Sequence, residues 1–143
     1  MFVPGNPAPQ GSKRHMGNGV MVESSKRVKP WRADIREHVL ARHDGTPLDG
    51  PIVASLVFFM PRPKSHYRTG CNAHLLRSRA PTRPTGKPDI DKLARAVLDA
   101  LGSDGLNIWH DDAQVVELHA SKHYIFAPDK KPGVLIRLNP LEG

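Results

Sequence analysis

Six of the fourteen acidic residues, Asp89, Asp91, Asp99, Asp104, Asp111 and Asp112, fall within twenty-four positions of a chain whose formal net charge is +7. Carboxylates gathered inside a positive surface suit a hard cation such as Mg²⁺, which takes oxygen ligands. The surrounding Lys and Arg draw in a polyanion whose phosphates complete the coordination. Nucleic acid is the polyanion that fits. In an extended Asp89-Ile90-Asp91 segment, side-chain direction alternates with period two, so both carboxylates face one side while Ile90 anchors the core. Asp111 and Asp112 precede the strand that follows the next helix and can return to the same place. Asp89, Asp91, Asp111 and Asp112 are therefore the candidate metal ligands, for one ion or for two ~3.5 to 4 Å apart. Arg95, four residues after Asp91, is placed to steady a carboxylate or to touch the scissile phosphate. As a plain i, i+4 ion pair with Asp91 it would contribute only ~0.3 to 0.5 kcal/mol.

Each of these residues also has a plainer use. Asp89 taken alone reads as an N-cap accepting backbone N–H bonds, and Asp91 as a first-turn charge against the helix dipole. Asp99 and Asp104 read as an outward helix residue and a turn residue, and are set aside. Trp109 is expected to pack beneath the Asp111-Asp112 turn rather than stack on an unpaired base, and Tyr67 is a second candidate for stacking. An EF-hand is excluded because Leu93 and Ala94 follow where a calcium loop needs an oxygen ligand and a Gly. His110-Asp111 matches the ligand pair of HD phosphohydrolases, an all-helical class, whereas this chain is strand-rich.

The elements that must position these groups follow from hydrophobic spacing. Met1–Pro9 holds a short strand, and 17–22 is a turn entering another. With Pro30 in the first turn, a helix is predicted over Trp31–His43, with Ile35, Val39 and Leu40 on one face and Asp44-Gly45 closing it. Pro51–Met60 (PIVASLVFFM) is a β-rich apolar run of strand length and the predicted central strand. Leu93, Val97, Ala100 and Leu101 lie at i, i+4, i+7 and i+8, predicting a helix over Asp91–Leu101 that ends at Gly102. Ala113–Phe126 and Gly133–Leu138 are two more predicted strands. The Pro51–Met60 and Leu93–Leu101 apolar surfaces are expected to serve the core rather than a subunit interface.

Charge is distributed in blocks. No acid lies between Gly50 and Pro88, where Arg62, Lys64, Arg68, Arg77, Arg79, Arg83 and Lys87 all fall, and Lys13 and Arg14 stand in an acid-free N-terminal stretch. The prolines and glycines of 62–87 predict a long basic surface loop, a length that tends to be functional or disordered. Lys13, Arg14, Arg62, Lys64, Arg68, Arg77, Arg79, Arg83, Lys92 and Lys122 are the expected DNA-binding residues, acting through phosphates and therefore sensitive to salt. At 143 residues the chain is expected to be one domain, residues 1–143, able to bury a core without staples. The single Cys71 forms no internal disulfide and no CxxC site. No apolar run approaches the ~20 residues of a membrane span, and Met1–Gln10 lacks the pattern of a signal peptide. A cytoplasmic protein without a membrane partner is expected.

The stretch KPDIDKLARAVLDAL, followed after a Gly-containing turn by WHDDAQVVEL, resembles the signature of the RusA family of Holliday junction resolvases, common in bacteriophages and prophages. The likeness is carried by Lys87–Tyr124, and the rest of the chain agrees in general layout. It implies an α+β fold, a mixed β-sheet with two main helices packed against it. It also implies catalytic Asp89, Asp91 and Asp112, with Asp111 a further ligand or a neighbour of one. The implied activity is that of a homodimeric, Mg²⁺-dependent endodeoxyribonuclease, with Mn²⁺ a possible substitute and no small-molecule cofactor. Such an enzyme resolves four-way DNA junctions by paired symmetric nicks in recombination and repair. A C₂ dimer suits cutting two like strands at symmetric positions. Two positions depart from the family pattern. Arg95 stands where a catalytic Lys is frequent, keeping the charge but not the capacity to lose a proton, and Lys92 stands where Asn is common. The 62–87 loop is also longer than the linker of the smallest members. Two other functions stay open on the residues alone: a metal-dependent nuclease for flaps, forks or other branched DNA, and a non-catalytic basic DNA-binding protein.

Overall fold

The computed structural model describes residues 1–11, 14–16, 20–22, 26–102 and 105–142. The elements are β1 (Phe2–Pro4), β2 (Arg14–Met16), β3 (Val20–Val22), α1 (Val28–Leu40), β4 (Ile52–Met60), α2 (Ile90–Leu101), β5 (Val115–Tyr124) and β6 (Gly133–Pro140). Four strands form a mixed sheet in the order β1-β6-β4-β5, and β2 and β3 pair as a separate antiparallel ribbon. β4 runs parallel to β5 and antiparallel to β6. A parallel pair cannot be joined by a hairpin. The crossover from β4 to β5 is the basic loop followed by α2, and this connection carries the chemistry-bearing residues.

Burial in β4 alternates strictly: Ile52, Ala54, Leu56, Phe58 and Met60 are buried and the residues between them half-buried. That alternation marks a strand with one face against helices. Against this face lie Val28, Trp31, Ile35 and Val39 of α1 and Leu93, Ala96, Val97, Ala100 and Leu101 of α2, in one core. α1 also packs on α2. The apolar strand and the α2 stripe are therefore core surfaces, as their spacing predicts.

Several boundaries differ from expectation. α1 starts at Val28 and stops at Leu40, because the amides of Arg42 and His43 both turn back to the Val39 carbonyl. Leu40 is 59% exposed, so the buried stripe is Val28, Trp31, Ile35 and Val39 instead. The β2 strand is not signalled by Arg14-His15-Met16, and the turn expected at 17–19 lies outside the described residues. The start of the strand predicted from Ala113 is a 3₁₀ turn, Asp112–Gln114. Among the described residues no helix is long and apolar enough to cross a membrane.

The 62–87 segment is a surface loop with an internal scaffold. It contains two 3₁₀ turns, Lys64–His66 and Gly70–Asn72, and a Tyr67–Leu76 bridge. Its arginines tie it together: Arg62 donates to the Pro81 carbonyl (2.7 Å), Arg68 to Leu76 (3.2 Å) and Arg77 to Ser65 (3.1 Å). Charge-assisted bonds of this kind are stronger than neutral ones.

Candidate active site

α2 presents a second stripe besides its core face. Asp91, Ala94, Arg95, Leu98 and Asp99 lie at i, i+3, i+4, i+7 and i+8, the spacing of one helical face. They form one wall of a cavity of about 290 Å³. Trp109 and Asp112 form a second wall, and Val115 and Leu118 of β5 a third. Two carboxylates predicted to meet, Asp91 and Asp112, thus line one cavity although they come from the start of a helix and the turn before a strand. Asp89 and Asp111 are not among the residues that line it.

Asp112 is held in place from two sides. The Trp109 side chain is fully buried, and its indole Nε1–H donates to Asp112 Oδ1 at 2.9 Å. Trp109 therefore packs beneath the turn, as expected, and also supplies a hydrogen bond. On the other side stands Gly102. A Cβ there would collide with Asp112 Oδ1 and would lie 3.0 Å from Trp109 Nε1. Gly102 ends the helix as its position predicts, and its φ of −85° shows that it is not there for a left-handed backbone. The glycine is needed for the close approach of the carboxylate to the helix end.

Asp111 does something else. It caps the 3₁₀ turn, its carboxylate accepting from the Ala113 amide at 2.8 Å. Gln114 completes a capping box: its Oε1 accepts from the amides of His110 (2.7 Å) and Asp111 (2.8 Å). Its Nε2 donates to the carbonyls of Leu48 (3.0 Å) and Gly50 (2.9 Å). Gln114 was missed in the sequence, although Asp111-x-x-Gln114 is the spacing of a capping box. A further bond, His110 Nε2 with Asp49 Oδ1 at 2.7 Å, ties the turn to the chain ahead of β4.

At the start of α2 the expected extended Asp-Ile-Asp is only half present. Asp89 is extended (φ −70°, ψ 142°), but Ile90 is already helical. Ile90 is half-buried and does not anchor the core. Asp89 occupies the N-cap position yet its carboxylate makes no capping bond, lying instead 3.7 Å from Lys87 Nζ. Asp91 is 3.9 Å from Lys92 Nζ. Arg95 pairs forward with Asp99, Nε to Oδ2 at 3.9 Å, and not back with Asp91. Asp99, set aside in the sequence, therefore belongs to the cavity, and its place eight residues after Asp91 is the signal that could have found it. Asp104 lies outside the described residues.

Oxygen donors line this cavity, and Mg²⁺ characteristically binds through one or two carboxylates with waters and substrate phosphates completing its shell. The space that Gly102 leaves for Asp112 fits that requirement. Among the described residues no three His, Cys, Asp or Glu side chains converge as a ready-made metal cage. A two-carboxylate site completed by a phosphate is thus the arrangement the donors suit.

The expected DNA-binding residues separate into groups. Lys64, Arg79 and Arg83 are exposed on the loop. Arg62, Arg68 and Arg77 brace the loop through backbone carbonyls. Lys122 is a strut, its Nζ donating to the carbonyls of Gly86 (2.7 Å) and Pro88 (2.8 Å), so that it fixes the approach to Asp89 rather than standing free for DNA. Lys92 is partly exposed beside Asp91. Lys13 and the side chain of Arg14 lie outside the described residues.

A family profile described as endodeoxyribonuclease RusA matches residues 4–139. The chain is also 31% identical over 131 residues to an uncharacterized protein, YqaN, of Bacillus subtilis (strain 168), a match covering 88% of this chain and 87% of that one.

Proposed function

The chain belongs to the RusA endodeoxyribonuclease family, and on that premise we propose that it is a divalent-metal-dependent endonuclease that resolves four-way DNA junctions. The observation that carries this reading is the cavity shared by Asp91, Asp112 and Arg95. Asp91 and Asp112 would hold the cation, Mg²⁺ or Mn²⁺ in its place. Asp89, whose carboxylate is not used as a cap, lies outside the cavity lining and would join the site only through a phosphate or metal that extends past it. Asp111 acts by shaping the turn that presents Asp112. When bound, a divalent cation here would offset charge on the phosphoryl oxygens and make the attacking water more acidic.

The chain's own residues supply positioning and electrostatics. Arg95, oriented by Asp99, presents a planar guanidinium that stays charged and suits the non-bridging oxygens of a phosphate. It takes up no proton, so general-base catalysis falls to a carboxylate or to water. Trp109 and Gln114 fix the Asp112 turn, and Lys122 fixes the backbone ahead of Asp89. The basic loop and its exposed Lys64, Arg79 and Arg83 attract the DNA backbone, and contacts of this kind position a duplex without reading its sequence. Paired symmetric nicks require two such sites, which a homodimer with two-fold symmetry supplies. The biological setting that follows is DNA recombination and repair.

The test is cleavage of a synthetic four-way junction, a flap and a linear duplex at equal concentration with Mg²⁺. The junction is expected to be cut fastest. Asp91→Asn and Asp112→Asn are each expected to lose more than about 100-fold in rate, beyond the 10- to 100-fold that neighbours of metal ligands cost, while junction binding is retained. Full activity in either variant would show that the cation is held elsewhere. Preferential cutting of flaps would move the substrate but keep the chemistry.

A further inference from the structure

At the far end of β5 from the catalytic cavity there is a second, larger cavity of about 400 Å³. That volume is within the range of small-ligand sites, roughly 300 to 1,000 Å³. Its walls are the basic loop, through Arg62, Tyr67, His74 and Arg83, and the chain leaving β5, through Tyr124 and Phe126. Among the described residues that line it there is no carboxylate.

The aromatic groups are arranged and not merely present. The Arg62 guanidinium carbon lies 4.3 Å from the centre of the Tyr124 ring, and His66 meets the same ring edge-on at 5.4 Å. Arg62 is fixed further by its bond to the Pro81 carbonyl. Phe126 packs against Phe59, ring centres 5.6 Å apart, yet remains 82% exposed, the largest exposure of any large apolar side chain among the described residues. With Phe2, Phe59 and Ile125 beside it, the ring is part of a contiguous apolar surface rather than a lone exposed side chain, and such surfaces mark interaction sites. Lys130 and Lys131 flank its other side in a neighbouring apolar groove.

We propose that this cavity binds an unpaired nucleotide of single-stranded DNA, with the base stacked on Phe126 and the phosphates held by Arg62 and Arg83. A π-face beside cations, without acids, is the chemistry of sequence-tolerant single-strand binding. A concave pocket of this volume admits a single nucleotide and not a duplex. The proposal rests on the nucleic-acid reading above but concerns a different site. From Leu118, at the catalytic cavity, to Tyr124, at this one, β5 runs six residues, roughly 20 Å at about 3.3 Å per residue. The strand captured here is therefore several nucleotides from the phosphate that is cut, where a branched substrate can present unpaired bases.

The experiment uses the full chain and three labelled probes, a single-stranded oligothymidine, a blunt duplex of equal length and a four-way junction, with binding followed by fluorescence anisotropy. Phe126→Ala is expected to weaken oligothymidine binding by about fivefold to a hundredfold, the range for loss of one base–aromatic stack. Duplex affinity should stay within about twofold, since phosphate contacts dominate it. Phe126→Trp should keep single-strand affinity and Phe126→Leu should lose it, which separates stacking from apolar contact. Unchanged single-strand affinity in Phe126→Ala, with the junction still bound and cut, overturns the pocket alone. So does a shift in oligomeric state of Phe126→Ala by sedimentation with single-strand binding intact, which would make Phe126 a contact with a second copy. Failure of the unaltered protein to bind any of the three probes overturns the nucleic-acid reading as well.

Discussion

Asp112 owes its position to Trp109 and Gln114, two side chains that need never touch DNA. Removing the indole N–H tests this. Trp109→Phe keeps an aromatic ring in the buried site, at some loss of ring volume, and takes away the 2.9 Å donor to Asp112 Oδ1. The expected result is a 10- to 100-fold loss of metal affinity or turnover, typical of groups that orient ligands. It should be seen as a raised Mg²⁺ requirement in cleavage assays with DNA affinity unchanged. The acids themselves were legible in the sequence, because clustered Asp residues in a basic chain stand out. Their separate tasks were not. Asp111 and Asp112 are adjacent and chemically identical, and only the 3₁₀ turn assigns one to capping and the other to the cavity. Asp99 was passed over because its value lies in a helical face shared with Asp91, which becomes meaningful only once that face is known to border a cavity.

At the scale of elements, the join between α2 and the Asp112 turn is tightly packed. Gly102→Ala would set a methyl group against Asp112 Oδ1, with the Leu98 carbonyl also only 3.0 Å away. Overpacking of this kind costs about 1 to 3 kcal/mol. Urea denaturation should register that loss, and cleavage should fall even where the variant remains folded. Gly86→Ala, where a Cβ would meet nothing within 4 Å, is the control and should match the unaltered protein in both measurements. The elements with strong periodicity, β4 and α2, were readable from spacing, since each buries one regular face. β2 was not, because a three-residue strand of Arg, His and Met carries neither alternation nor β-branched residues. The basic loop was rightly located by its prolines and glycines, but its scaffold of arginine-to-carbonyl bonds depends on contacts across as many as nineteen positions, which no local pattern announces.

For the molecule as a whole, the proposed function divides the labour between the basic loop, which would attract DNA, and the acidic cavity, which would react with it. Exposed Lys64, Arg79 and Arg83 should each contribute about −0.9 to the log–log slope of DNA affinity against salt if each meets a phosphate. Replacing all three by Ala should flatten the slope by about 2.7 in titrations from low to moderate salt. Arg68→Ala and Arg77→Ala should in addition make the loop more susceptible to limited proteolysis, because their Nε groups hold its carbonyls. The central claim is that Asp91 and Asp112 share one divalent cation between α2 and the turn before β5. Anomalous diffraction from crystals soaked in Mn²⁺ reads it directly. A peak in the cavity they line, lost in Asp112→Asn, is the predicted result. An empty cavity with the ion elsewhere, beside the Asp49–His110 pair for example, in crystals of protein that still cuts DNA would contradict it.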